Sequence, residues 1–171
     1  MNLNLFFTPT DILLPAHADM RRWSVIACDQ FTADAGYWQA VQDTVCDAPS
    51  TLRLMLPEFY LGKCDEAAAT REIQQTMRRY LDDGVFRTVP HSLVLVQRTL
   101  PGGAVRCGVV GALDLEAYDY APDSVTPIRA TEGTVASRLP ARVRIRAVAG
   151  MEMPHIMVFY NEPEDTIIRE E

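Results

Sequence analysis

Lysine is nearly absent from this chain. Fifteen arginines and one lysine, Lys63, make up its 16 basic residues, against 23 acidic ones and a net charge of −7. A face that binds DNA or RNA carries a surplus of Lys and Arg. The whole-chain balance, with a pI near 4.9, therefore argues against nucleic acid as the main partner. Long hydrophobic runs are missing too. The longest, such as residues 93–96 and 156–160, fall far short of the roughly 20 residues that a helix across a bilayer needs. There are only four cysteines, Cys28, Cys46, Cys64 and Cys107, and no C-x-x-C pair. That excludes a disulfide-built miniprotein and reads as scattered structural thiols. The N-terminus has no basic region and no cleavage-like small residues, so the expectation is a cytoplasmic chain with reduced thiols.

Several catalytic signatures are absent as well: no G-x-x-x-x-G-K-[ST], no H-E-x-x-H and no G-x-S-x-G. No metal-ligand spacing stands out. Gly102, Gly103, Gly108 and Gly111 lie in a hairpin turn and its second arm, where glycine is structural rather than a dinucleotide fingerprint.

What is present is a globular composition. The chain has 171 residues, 48% of them apolar and 23% charged, enough for one domain with a sizeable core. Asp34 is placed to cap a helix over residues 35–46, with Tyr37, Trp38, Val41 and Val45 at core-facing spacing. The clearest element is a helix over residues 65–83, with Ala69, Ile73, Met77, Tyr80 and Leu81 in a stripe. Asp65 and Glu66 sit at its positive end and Gly84 follows it. Residues 92–100 and 104–115 form a hairpin around Pro101-Gly102-Gly103. Short strands are expected at residues 24–28, 51–56 and 155–161. Residues 116–120 read as a turn or a loose helical piece, and residues 131–148 as partly helical, divided by Pro140. Strands and helices mix without a βαβ repeat. The fold class is therefore α+β, with a mixed or antiparallel sheet, a central hairpin and flanking helices, in a single domain over residues 1–171.

Charge picks out the candidate site. Residues 128–149 hold Arg129, Arg138, Arg142, Arg144 and Arg146 against one acid, Glu132, so this stretch is +4 and the remainder −11. Within it, Arg129, Thr131, Glu132, Gly133 and Thr134 gather a guanidinium, two hydroxyls, a carboxylate and a permissive glycine. Gly133 lets backbone amides approach an anion, and Thr131 or Thr134 can cap the next helix. Arg138, Arg142 and Arg144 supply planar forks suited to phosphate or carboxylate. An ordinary capping loop with a solvated basic face is the competing reading. Asp29 ends the first expected strand, where open α/β sheets present ligand-facing groups; the alternative is a loop carboxylate capping a turn. Among His17, His91 and His155, none has a partner nearby in sequence, and His155 is kept as a candidate because it opens the last expected strand.

Residues 23–31, 81–86, 109–119 and 128–135, together with Pro154-His155-Ile156-Met157, resemble the N-terminal part of the domain-of-unknown-function 1015 family. Its bacterial and archaeal members are often labelled as relatives of the ParB partition proteins. The resemblance implies a likeness to the ParB/sulfiredoxin superfamily, which includes a nucleotide-dependent free-serine kinase. It implies a longer protein, of which this chain is the N-terminal portion: the family's Asp-Gly followed by His-His-Arg or Asn-His-Ser is missing here, Asp83-Gly84 being followed by Val85. No catalytic residue is carried over. The functional expectation is part of a nucleotide-dependent, small-molecule phosphotransferase-like enzyme, with nucleotide and magnesium as cofactors of the full-length protein. The alternative is a non-catalytic binding or assembly module, compatible with a homo-oligomer, and DNA binding stands third.

Overall fold

A computed structural model describes residues 6–130, 133, 135–153 and 155–159. Its elements, in chain order, are β1 (Phe7–Thr8), β2 (Thr10–Pro15), α1 (Met20–Trp23), α2 (Ala35–Val45), α3 (Glu66–Asp82), β3 (Phe86–Ser92), β4 (Val94–Thr99), β5 (Val105–Val110), β6 (Ala112–Leu113), β7 (Tyr118–Asp119), β8 (Ile128–Arg129) and α4 (Leu139–Arg146). Short 3₁₀ turns occupy Thr51–Leu54, Glu58–Tyr60, Leu115–Ala117 and Ala136–Arg138. The α+β class holds. The strands do not merge into one sheet; they pair as β1–β6, β2–β3, β4–β5 and β7–β8.

The chain divides into two compact units. One comprises Met1–Leu14, Thr88–Gly133 and Met157–Glu171; the other comprises Pro15–Arg87 and Thr134–Ile156. The first contains the expected hairpin. β4 and β5 are antiparallel, with Val94 opposite Val110 and Thr99 opposite Val105, and Gly102 and Gly103 take positive φ at the turn. β1 pairs antiparallel with β6 through Phe7–Leu113 and Thr8–Ala112. Gly111, just before β6, permits this close approach: a Cβ there would lie 2.6 Å from Phe7 Cζ, 2.7 Å from Leu93 Cδ2 and 2.8 Å from the Thr8 carbonyl.

The second unit holds the helices and two apolar clusters. In α3, the Asp65 carboxylate accepts from the backbone N–H groups of Ala67 and Ala68, both at 3.0 Å, and Gly84 ends the element with φ near 68°. Ile73, Met77 and Tyr80 are buried with Trp23, Leu54 and Ile145; Leu81 lies at the stripe's exposed edge. α4 lies against α3, where Gln74 Nε2 donates to the Arg144 carbonyl at 2.7 Å. The other cluster centres on fully buried Trp38 with Cys28 and Met55. The Trp38 indole N–H donates to the Phe31 carbonyl at 3.0 Å, and Asp34 caps α2 by accepting from the Tyr37 N–H at 2.9 Å.

Four expected features come out differently. Residues 24–28 are not a strand; side chains and a loop satisfy their backbone, with Thr51 Oγ1 accepting from the Val25 N–H and the Cys28 carbonyl accepting from the Glu58 N–H. Residues 51–56 begin as a 3₁₀ turn, because buried Ser50 folds the backbone locally. Its hydroxyl accepts from the Leu52 N–H and donates to the Trp23 carbonyl, and this turn chemistry overrides the alternation of Leu52, Leu54 and Leu56. Pro140 starts α4 rather than dividing a helix, since proline at the first helical positions sacrifices no intrahelical bond. Residues 155–159 carry no strand; residues 160 and 161 lie outside the described residues.

Candidate functional site

Within the helical unit, four charged side chains converge. Arg138 and Arg142 stand four residues apart at the start of α4 and so share one helix face. That face is fixed by Ala141 and Ile145, which are buried. Glu58 opens the 3₁₀ turn that follows Pro57, and its side chain is only 6% exposed. Its Oε2 lies 3.0 Å from Arg138 Nη1, and its Oε1 accepts from Arg142 Nη2 at 2.7 Å. One carboxylate thus bridges two guanidiniums. The Glu58 backbone N–H donates to the Cys28 carbonyl at 2.8 Å, which ties this turn to the loop that carries Asp29. Asp29 Oδ2 is 3.9 Å from Arg142 Nη2, too long for a hydrogen bond, while its Oδ1 accepts from Gln30 Nε2 at 3.3 Å.

The electrostatics follow from this packing. Burial alone would lower the pKa of the Arg142 guanidinium. The hydrogen bond to Glu58, the Cys28 thiolate that forms only at high pH, and the charges of Glu58 and Asp29 outweigh that, and the net shift is upward. Burial pushes the Cys28 thiol up. Arg142 pulls it partly back, and Asp29 and Glu58 push it further up. Cys28 therefore stays a thiol at neutral pH and is a poor nucleophile. Arg142 Nε is buried without a hydrogen-bond partner among the described residues, beside a cavity of about 20 Å³ lined by Cys28, Met55, Arg142 and Met153 among others. That is room for about one water.

The structure brings Asp29, Arg138 and Arg142 together. It places Arg129 on β8 and Gly133 in the other unit, both exposed. Thr131, Glu132 and Thr134 lie outside the described residues. His155 is exposed and carries no ordered element. Arg144 and Arg146 are paired as well, with Glu66 and Glu152. The site residue that sequence reasoning missed is Glu58. No motif marks it, but the excess of arginines in residues 128–149 required counter-charges from elsewhere in the chain.

The cluster suits anion handling better than a protein-held cation. Both Glu58 oxygens face guanidiniums, Asp29 stands alone beside Arg142, and no group of three or more His, Cys, Asp or Glu side chains gathers among the described residues. These residues do not fit a resident magnesium ion. The arginines are 45% and 39% exposed, so their outer N–H groups remain open to a ligand.

The family whose sequence pattern matches residues 9–171 is described as Protein of unknown function (DUF1015). The chain belongs to that family. No curated protein and no solved structure matches it. For this DUF1015 chain, the described helices include none long and apolar enough to cross a membrane.

Proposed function

We propose that this DUF1015 chain contributes the anion-orienting part of a nucleotide-dependent, small-molecule phosphotransferase-like enzyme related to the ParB/sulfiredoxin superfamily. The observation that carries the reading is the convergence of Arg138 and Arg142 on one nearly buried carboxylate, Glu58, with both guanidiniums partly open. Phosphoryl transfer depends chiefly on positioning and charge neutralisation. Two planar forks held side by side supply both for a phosphoryl group. Magnesium, in this reading, arrives with the nucleotide, held mainly by its phosphates and water as is usual for this ion. Arg129 and the segment of Thr131, Glu132, Gly133 and Thr134 remain the second candidate for an oxyanion contact, on their residue types alone. Titration calorimetry with ATP, ADP and CTP, each with and without magnesium, tests the proposal. Saturable binding of at least one is expected; binding of none removes it.

One observation favours a binding or assembly module instead. Ile156, Met157 and Phe159 are 69%, 71% and 75% exposed, an apolar run of the kind that marks interaction surfaces. Light scattering that shows only a monomer, with no partner captured, would count against that module. DNA binding is opposed by the acidic balance, and tight duplex binding in a low-salt gel shift would revive it.

A further inference from the structure

The four charged groups of the cluster do not interact alike. Glu58 accepts a hydrogen bond from Arg142 at 2.7 Å and forms an ion pair with Arg138 at 3.0 Å whose angle is not that of a hydrogen bond, and its side chain is almost fully buried. Asp29 has a half-exposed carboxylate and approaches Arg142 only to 3.9 Å, beyond hydrogen-bond reach. Glu58 therefore fixes where Arg138 and Arg142 point. Asp29 stands near Arg142 without closing on it. We propose that Glu58 is a positioning residue that sets Arg138 and Arg142 as a clamp for a phosphate-type dianion, and that Asp29 is the internal anion this ligand displaces.

The proposal rests on the anion role given to the cluster above and adds the ligand class and the competitor. The chemistry sets the signs. A dianion accepts from the outer N–H groups of two adjacent guanidiniums, and planar forks hold it better than point charges. A carboxylate near the same guanidinium repels that dianion. Removing its charge therefore tightens binding, whereas a carboxylate that recruited a magnesium ion would weaken binding when neutralised. The two roles of Asp29 predict opposite changes.

The test uses the whole chain and inorganic phosphate without magnesium, followed by calorimetry and by the NMR signals of the arginine Nε–H groups. Saturable binding is expected, with shifts at Arg138 and Arg142. Asp29→Asn is expected to tighten it roughly three- to tenfold, from relief of like-charge repulsion between a half-exposed carboxylate and the dianion. Arg142→Lys keeps the charge, loses the fork, and is expected to weaken binding at least about tenfold. Circular dichroism and thermal melts of each variant establish that it is folded; should Arg142→Lys fail to fold, Arg138→Lys replaces it at the more exposed arginine. No saturable binding by either the native chain or Asp29→Asn overturns the proposal. So does an Asp29→Asn variant that binds phosphate no better, or a response confined to other arginines such as Arg129. A parallel arm with magnesium and ATP separates the two levels. ATP binding that survives Arg142→Lys removes the clamp and leaves the phosphotransferase reading with another anion site. Phosphate binding at the clamp without nucleotide binding removes that reading and leaves the clamp.

Discussion

The bridge at Glu58 gives a quantitative expectation for stability. Glu58→Gln keeps the side chain's shape and removes its charge. The remaining amide oxygen accepts from one arginine only, and its NH₂ group must then face the other guanidinium. Hydrogen bonds to charged groups contribute about 1.5–3 kcal/mol each. Breaking a fully buried ion pair by removing one partner costs roughly 3–5 kcal/mol. Arg138 and Arg142 are 45% and 39% exposed, so water re-solvates them and the lower figure governs. We expect a destabilisation of about 2 kcal/mol by urea denaturation, monitored at the fluorescence of Trp23 and Trp38, which lie in the same unit. A double-mutant cycle with Arg142→Gln isolates the pair. Coupling above about 0.5 kcal/mol is expected, since residues in direct contact are non-additive. A loss under about 0.5 kcal/mol for Glu58→Gln, with additive effects in the cycle, would refute the claim that this carboxylate holds the two arginines.

Gly111→Ala places a methyl within 2.6 Å of Phe7 Cζ and 2.8 Å of the Thr8 carbonyl; it should cost about 1–3 kcal/mol, while Gly108→Ala, with nothing within 4 Å, serves as the near-neutral control in the same melts. Asp65→Ala removes an acceptor for two backbone N–H groups of α3 and should cost about 1 kcal/mol, most of it recovered by Asn. Cys28 should alkylate much more slowly than exposed Cys46 and Cys64, read by mass spectrometry of the labelled peptides. Because folding raises the Cys28 pKa, the folded state holds that proton more tightly than the unfolded one. Its contribution is fully present below the ordinary thiol range and is lost as pH rises from there through the raised value of the folded state. Cys28→Ala should flatten that alkaline decline in melts taken from pH 8 upward.

What the sequence made legible was local. α2 and α3 followed from an acidic cap, an apolar stripe and, for α3, a terminating glycine. The β4–β5 hairpin followed from its glycine turn. Those signals act within a few residues, so one chain is enough to read them. Residues 51–56 failed because the alternation of three leucines fits both a half-buried strand and a turn whose leucines point inward. The outcome was decided by Ser50, which Tyr80 and Trp23 anchor from 30 and 27 residues away. Asp29, Arg138 and Arg142 were visible as charged residues in suggestive places, but Glu58 was not. A buried counter-charge has no local signature; only the fold brings it within 2.7 Å of its partner.

The Arg142 contact with Glu58 spans 84 positions of the chain, and the intervening stretch includes Thr88–Gly133, the segment of the other unit that carries the β4–β5 hairpin. A ribosome making this protein therefore releases the glutamate long before its arginine counterparts exist. At a few to about twenty residues per second, the nascent chain spends several seconds with that carboxylate unneutralised. It stays hydrated until α4 arrives, so the helical unit is expected to close late, after the hairpin has already folded.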